Sequence, residues 1–383
     1  MASEMPRVAL LIETSLYVGR GILAGVSHYI KKHEPWAVYA FPHGLDQPPP
    51  QWFDRWQGDG IIARIQNQSI ADAVASKNVP VVDVLGVCSV PNSALVHVDD
   101  PAIAEMAADH LIDNGFREFA YFGLAKENWS LARELAFKER VTSTGGSCET
   151  MLLSRQVMEN TDWVIQVEQV ADWIKTLPQP VGIMLCSDVE GLLVQEACRA
   201  AGRVIGRDIG LVGVGNDRTL CELSHPPLSS VDVDIESVGY QAAALLDSLI
   251  AGAPMPKEPN FIKPSYVMAR KSSDFVAVDD PLLARALEYI SEHYAEPIEL
   301  EDIAKNAGFS RSVLQRRFRD HLNHSVFDHV TSVRIRRAID LLQTDLAIDE
   351  IAELSGFSYA QTMGRVFRRK LGKSPKHYRR WDR

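Results

Sequence analysis

The chain has 383 residues, 46% of them hydrophobic, and carries 40 Lys and Arg against 50 Asp and Glu for a formal net charge of −10. That length has room for two or three cores, while no apolar run approaches the ~18 residues of a membrane span and no signal-peptide pattern opens the chain, so a cytoplasmic protein without membrane contact is expected. Five scattered cysteines, with no CxxC pair, indicate neither a disulfide framework nor a zinc site, and no metal or cofactor is expected.

From residue 6 to 270, short apolar runs alternate with longer helical patterns. Segments 8–12, 37–41, 60–63, 79–84, 120–122, 182–185 and 211–214 read as buried parallel strands, with amphipathic helices between many of them. The pattern predicts an α/β fold with two sheets. The break near Phe122-Gly123 predicts two lobes, and in such sheets ligands bind at the carboxyl ends of the strands, here in an interlobe cleft.

After the first strand, Gly19-Arg20-Gly21 and Gly25 form a GxGxxxG pattern at a helix start, as in dinucleotide folds. Residues 13–18 separate strand from glycine, however, and no acid closes the next strand at 41–43, so close helix packing or a tight turn is the better reading. Polar residues gather at the strand ends: Glu13, Ser15, Tyr17 and Arg20 after the first, Asp99 and Asp100 before the helix that reaches His110-Leu111, Trp129 and Arg133 beyond Gly123, Ser187 and Asp188 after Leu185, and Asn216 and Asp217 after Val214. Aromatic faces, carboxylates and a forked guanidinium suit sugar hydroxyls, although Glu13, Asp99 and Asp217 are equally well read as helix caps or surface charges. A helix over 235–250, with Val238, Ala242, Leu245, Leu246 and Leu249 on one broad face, serves core packing or a dimer contact.

Residues 271–281, rich in Ser, Asp and Pro, read as a linker. Beyond it one sentence is written twice: Ile303-Ala304, Gly308-Phe309-Ser310 and Phe318-Arg319 return 48 residues later as Ile351-Ala352, Gly356-Phe357-Ser358 and, after one extra residue, Phe367-Arg368. Each copy predicts a short helix, a glycine in the left-handed conformation, a serine N-cap (Ser310, Ser358) and a second helix, giving helix-turn-helix units near 299–320 and 347–370. In the first, Leu314 and Phe318 face the core, leaving Ser312, Gln315, Arg316 and Arg319 outward; the second offers Gln361 and Arg365, with Arg368 and Arg369 behind them as phosphate ligands. Gln and Arg pair bidentately with adenine and guanine edges, and flanking cations such as Lys370, Lys373 and Lys376 suit phosphates. An apolar-periodic helix over 326–342 joins the copies. Residues 282–383 hold 18 basic against 14 acidic residues, whereas 1–281 hold 22 against 36, so the overall acidity conceals a basic module.

The motif set Ile351-Ala352, Gly356-Phe357, Arg365-Val366-Phe367-Arg368-Arg369, Gly372, Ser374-Pro375 and Tyr378-Arg379 resembles the DNA-binding domain of the AraC family of bacterial transcription regulators; Thr362-Met363-Gly364 departs from that family's usual run. Residues 6–270 resemble the sugar-sensing domain of LacI-type repressors and periplasmic binding proteins, through Gly19-Arg20-Gly21-Ile22-Leu23, His110-Leu111 with Gly115-Phe116, Ser187-Asp188 and Pro226-Pro227-Leu228. This resemblance maps a sugar-binding Arg onto Arg133 and a polar pair onto Ser187-Asp188, while Gly215 followed by Asn216-Asp217 replaces the usual aspartate. It implies a periplasmic-binding-protein-like sensor over 1–270, with no headpiece before the first strand, and an all-α reader over 282–383. That order resembles xylose-operon activators. Expected partners are operator DNA, a sugar effector for which D-xylose is favoured over other sugars, a second copy of the chain, and RNA polymerase. A carbohydrate-acting enzyme or a simple binding module are the competing classes, but no phosphate loop or acid–base pair motif supports an enzyme, and the reader argues against a simple module.

Overall fold

The computed structural model describes residues 5–45, 47–274, 280–322 and 324–379. In chain order the elements are β1 (Arg7–Leu11), α1 (Tyr17–Lys32), β2 (Ala37–Ala40), α2 (Gln51–Arg55), β3 (Gly60–Ala63), α3 (Gln68–Ala75), β4 (Val81–Asp83), β5 (Ser93–Val98), α4 (Asp100–Asp113), β6 (Glu118–Ala125), α5 (Asn128–Thr142), β7 (Ser147–Ser154), α6 (Arg155–Asn160) and α7 (Trp163–Thr176). They continue with β8 (Val181–Leu185), α8 (Gly191–Ala200), β9 (Ile209–Val214), α9 (Arg218–Leu223), β10 (Ser229–Asp232), α10 (Ile235–Ile250), β11 (Asn260–Ile262) and β12 (Tyr266–Met268). The remainder is helical: α11 (Pro281–His293), α12 (Leu300–Ala307), α13 (Arg311–Leu322), α14 (Val326–Leu342), α15 (Ile348–Leu354) and α16 (Ala360–Leu371).

Two six-stranded sheets result, ordered β11-β5-β4-β3-β1-β2 and β12-β10-β9-β8-β6-β7. Neighbours such as β1–β3, β6–β8 and β8–β9 pair in parallel. The apolar runs that became β3, β8 and β9 are buried on both faces, because helices cover a parallel sheet on each side; the run expected as a buried strand at 37–41 instead forms β2 at the sheet's edge, where most of its residues are exposed.

Two compact units emerge, one of residues 1–103, 125–133 and 232–264, the other of 104–124, 134–231 and 265–383. The second unit contains both the second sheet and the helical reader. In the first unit, α1 lies against α10: a Cβ on Gly25 would stand 2.0 Å from the Glu236 carbonyl oxygen, and one on Gly21 2.3 Å from an Ile235 methyl carbon. The GxGxxxG pattern is thus a helix contact, and the apolar face of α10 (Val238, Ala242, Leu246, Leu249) is core.

In the second unit one cluster fills the sheet's flank with Phe122, Val170, Ile183, Leu193 and Leu211. The first helix-turn-helix is built on Leu287, Ile303, Leu314, Phe318 and Val330. The second is built on Ile339, Leu342, Ile351, Met363 and Phe367, and it also takes in Tyr266 and Met268 of β12. Of the expected linker, 275–279 lie outside the described residues. Ser272, at its start, is fully buried: its amide donates to the Pro227 carbonyl at 3.0 Å and its hydroxyl to the Leu211 carbonyl at 2.7 Å.

Candidate ligand and nucleic-acid sites

At the carboxyl edge of the first sheet, Asp100 opens α4 two residues beyond β5. Arg133 Nε donates to Asp100 Oδ1 at 2.8 Å, and the Trp129 ring lies 4.9 Å from the Arg133 guanidinium carbon. Both charged side chains are buried, 7% exposed. Burial alone raises a carboxyl's pKa, yet Arg133 and His97 outweigh it and hold Asp100 below the usual carboxylate range. His97, which faces Asp100 at 3.3 Å, was missed in the sequence because β5 was not recognised as a strand.

Glu13, just past β1, is buried beneath the start of α1 and is raised by that burial, with Arg64 opposing at 3.4 Å. Arg64 directly follows β3, so the strand-end rule that selected Glu13 selects it too. Tyr17 begins α1 half-buried and Ser15 is exposed. Arg20 turns back, its guanidinium donating to the carbonyls of Thr14 and Ser15 at 2.9 Å each, so it shapes the loop after β1.

The second sheet presents its own set. Asp188 accepts from the Ser230 hydroxyl at 2.6 Å and the Asp217 amide at 2.8 Å, and burial raises it to about 6. Ser187 caps the 3-10 turn that follows and donates to Glu190 at 2.6 Å. Asp217 is the N-cap of α9, accepting from the Thr219 and Leu220 amides. Asn216, held at a positive φ of 53°, accepts from Arg270 Nη2 at 2.8 Å. The carboxylates thus order the ends of β8 and β9 while Asn216 is presented beside them; Arg270, distant in sequence, gave no signal.

The reader carries its expected faces. Gly308 and Gly356 take φ of 75° and 81° at the two turns, a region that disfavours residues with a Cβ. In α13, Leu314, Phe318 and Leu322 are buried while Ser312, Gln315, Arg316 and Arg319 are exposed. In α16, Met363 and Phe367 are buried while Gln361, Arg365, Arg368 and Arg369 are exposed. Ser310 accepts from the Val313 amide at 3.4 Å, as a cap should. Ser358 does not cap α16: the extra residue of the second copy moves the N-cap to Tyr359, which makes no side-chain cap bond. Several of the reader's cations are tied within the fold, among them Arg317 to Asp280 and Lys370 to Asp328, each at 2.7 Å. The Arg380 and Arg383 end of the basic tail lies outside the described residues. Among the described residues no helix is long and apolar enough to cross a membrane.

Two parallel α/β sheets with polar groups at their carboxyl ends, followed by tandem helix-turn-helix units with basic outer faces, define a DNA-binding transcription regulator with a ligand-sensing domain. Family models match in the same order: the XylR N-terminal domain over 7–110, a periplasmic binding protein-like domain over 108–273 and a helix-turn-helix domain over 303–380. The chain belongs to the AraC-type regulators that carry a XylR-type, periplasmic-binding-protein-like sensor. It is 28% identical to the xylose operon regulatory protein of Escherichia coli (strain K12), across 99% of this chain and 98% of that protein. The structure of the xylose-binding transcription activator xylR superposes with a TM-score of 0.64 at 27% identity, covering 99% of this chain and 98% of that one. The reader alone is 32% identical to the regulatory protein SoxS of Salmonella typhimurium (strain LT2), over 26% of this chain and 92% of that protein.

Proposed function

We propose that this regulator senses a free pentose, D-xylose first among them, and activates transcription as a homodimer that recruits RNA polymerase in the cytoplasm. The carrying observation is the buried Arg133–Asp100 pair with the Trp129 face against it. A planar guanidinium and a carboxylate in fixed geometry match adjacent hydroxyls, and an aromatic face covers the C–H side of a sugar ring. Asp188 and Asn216 are the corresponding groups of the second sheet, with Glu13 and Tyr17 contributing beside β1. The 28% identity to a xylose operon regulatory protein over nearly the whole chain supports D-xylose over other sugars. Gln315, Arg316 and Arg319 read one stretch of DNA and Gln361 and Arg365 another, with Ser312, Arg368 and Arg369 at the backbone.

Calorimetric titration with a panel of pentoses and hexoses tests this reading. D-xylose should bind the wild type, and Arg133→Gln should weaken it by ~2 kcal/mol or more, because a hydroxyl and Asp100 both lose a partner. Equal affinity in the variant would remove Arg133 from the site, and tighter binding of another sugar would replace the effector.

A further inference from the structure

Several contacts among the described residues join the second sheet to the reader. Arg270 follows β12, and its guanidinium donates to Asn216 Oδ1 and to the Leu228 carbonyl at 2.8 Å each. The turn after it is clamped from three sides. The Ser229 amide donates to Ser272 Oγ at 2.8 Å, Asn114 Nδ2 donates to the Ser273 carbonyl at 2.8 Å, and the Ser273 hydroxyl stands 2.7 Å from His110 Nε2. The turn ends on Asp274, whose carboxylate lies 3.7 Å from Arg336 of α14; the same guanidinium reaches Asn114 Oδ1 at 3.5 Å.

Two further grips fix the reader to this lobe. Arg117 donates to the Asp320 and His321 carbonyls at the end of α13, 3.3 Å each, where a cation suits the negative end of a helix dipole. Tyr266 of β12 meets Tyr378 edge-on with ring centroids 5.2 Å apart. Alongside α14 a cavity of about 510 Å³, lined by Asn114, Asp274, Arg336 and Asp340 among others, gives the seam room to rearrange.

We propose that this seam, Asn114, Ser273 and Asp274 on the sensor side and Arg336 on α14, is where effector occupancy becomes a change in DNA affinity. The proposal rests on Asn216 being an effector-binding group. A sugar hydroxyl that engages Asn216 draws on the same carbonyl oxygen that holds Arg270. A shift of Arg270 passes to the turn at 271–274, and from it to Arg336. Because α14 joins both helix-turn-helix units, a small displacement there alters their common presentation to DNA. A ligand biases two states only through differential contacts, and the Asn216–Arg270 bond supplies one.

The full-length protein with Arg336→Gln, and separately with Asp274→Asn, tests the seam. The measured quantity is the factor by which saturating D-xylose changes the Kd for a duplex selected in vitro for binding. Wild type should show a factor of about 5 to 150, the usual range for coupled sites, and each variant should bring it to within about twofold of unity with D-xylose affinity unchanged. Asp274→Asn removes only a half-exposed carboxylate, so it keeps the test open should Arg336→Gln fold poorly. An unchanged factor in both variants overturns the seam alone. A wild type that binds no D-xylose overturns the effector assignment and, with it, the seam.

Discussion

Asp188 shows how one buried carboxyl is set by its surroundings. Burial lifts it to about 6 although Ser230 and Asp217 both donate to it, so between roughly pH 4 and 6 the folded chain holds a proton that the unfolded chain has released. Its contribution favours folding fully below about pH 3.8 and is lost as pH rises through 6. From pH 7.5 to 5.5 the wild type should therefore gain ~1 kcal/mol of stability relative to Asp188→Asn, which cannot take up that proton. Denaturant melts at the two pH values check this, and parallel shifts in both proteins would contradict it. At this scale sequence reasoning reached Asp100, Trp129 and Arg133, which the structure brings together. It could not reach Arg270, whose partner Asn216 lies 54 residues away and is selected by tertiary placement, and it passed over His97, three residues from Asp100, because the strand that carries it was not recognised.

At the scale of elements, periodicity did well where one face decides the fold. Segments 326–342 and 235–250 appear with those bounds as α14 and α10. The short strands β10, β11 and β12 were not predicted, since three or four residues carry too little alternation to stand out. β12 matters most, because its two apolar side chains leave their own sheet to complete the second helix-turn-helix core. Within α16, Gly364 is helical and a Cβ there would meet nothing within 4 Å, so Gly364→Ala should stabilise the fold by ~0.5 to 1 kcal/mol through helix propensity. At Gly356 a Cβ would lie 2.3 Å from the Tyr294 carbonyl in a left-handed residue, so Gly356→Ala should destabilise. Thermal melts showing the same sign for both would refute this contrast.

At the scale of the molecule, a basic reader is carried by an acidic remainder, and DNA affinity should fall steeply with salt as phosphate contacts release counterions. Arg316→Ala and Arg365→Ala should each cost ~1 to 3 kcal/mol at the specific site, with base preference relaxed at two separate positions. Footprints that relax at one shared position would refute tandem reading. The joining helix α14, 17 residues and so about 26 Å long, holds two units that share a plan but not their outer residues: Gln315, Arg316 and Arg319 on one, Gln361 and Arg365 on the other. No half-turn superposes such a pair on itself. A single chain laid on DNA therefore has a head and a tail, and its recognition sequence is an arrow rather than a palindrome. Reversing that sequence within a promoter reverses the side on which the sensor stands.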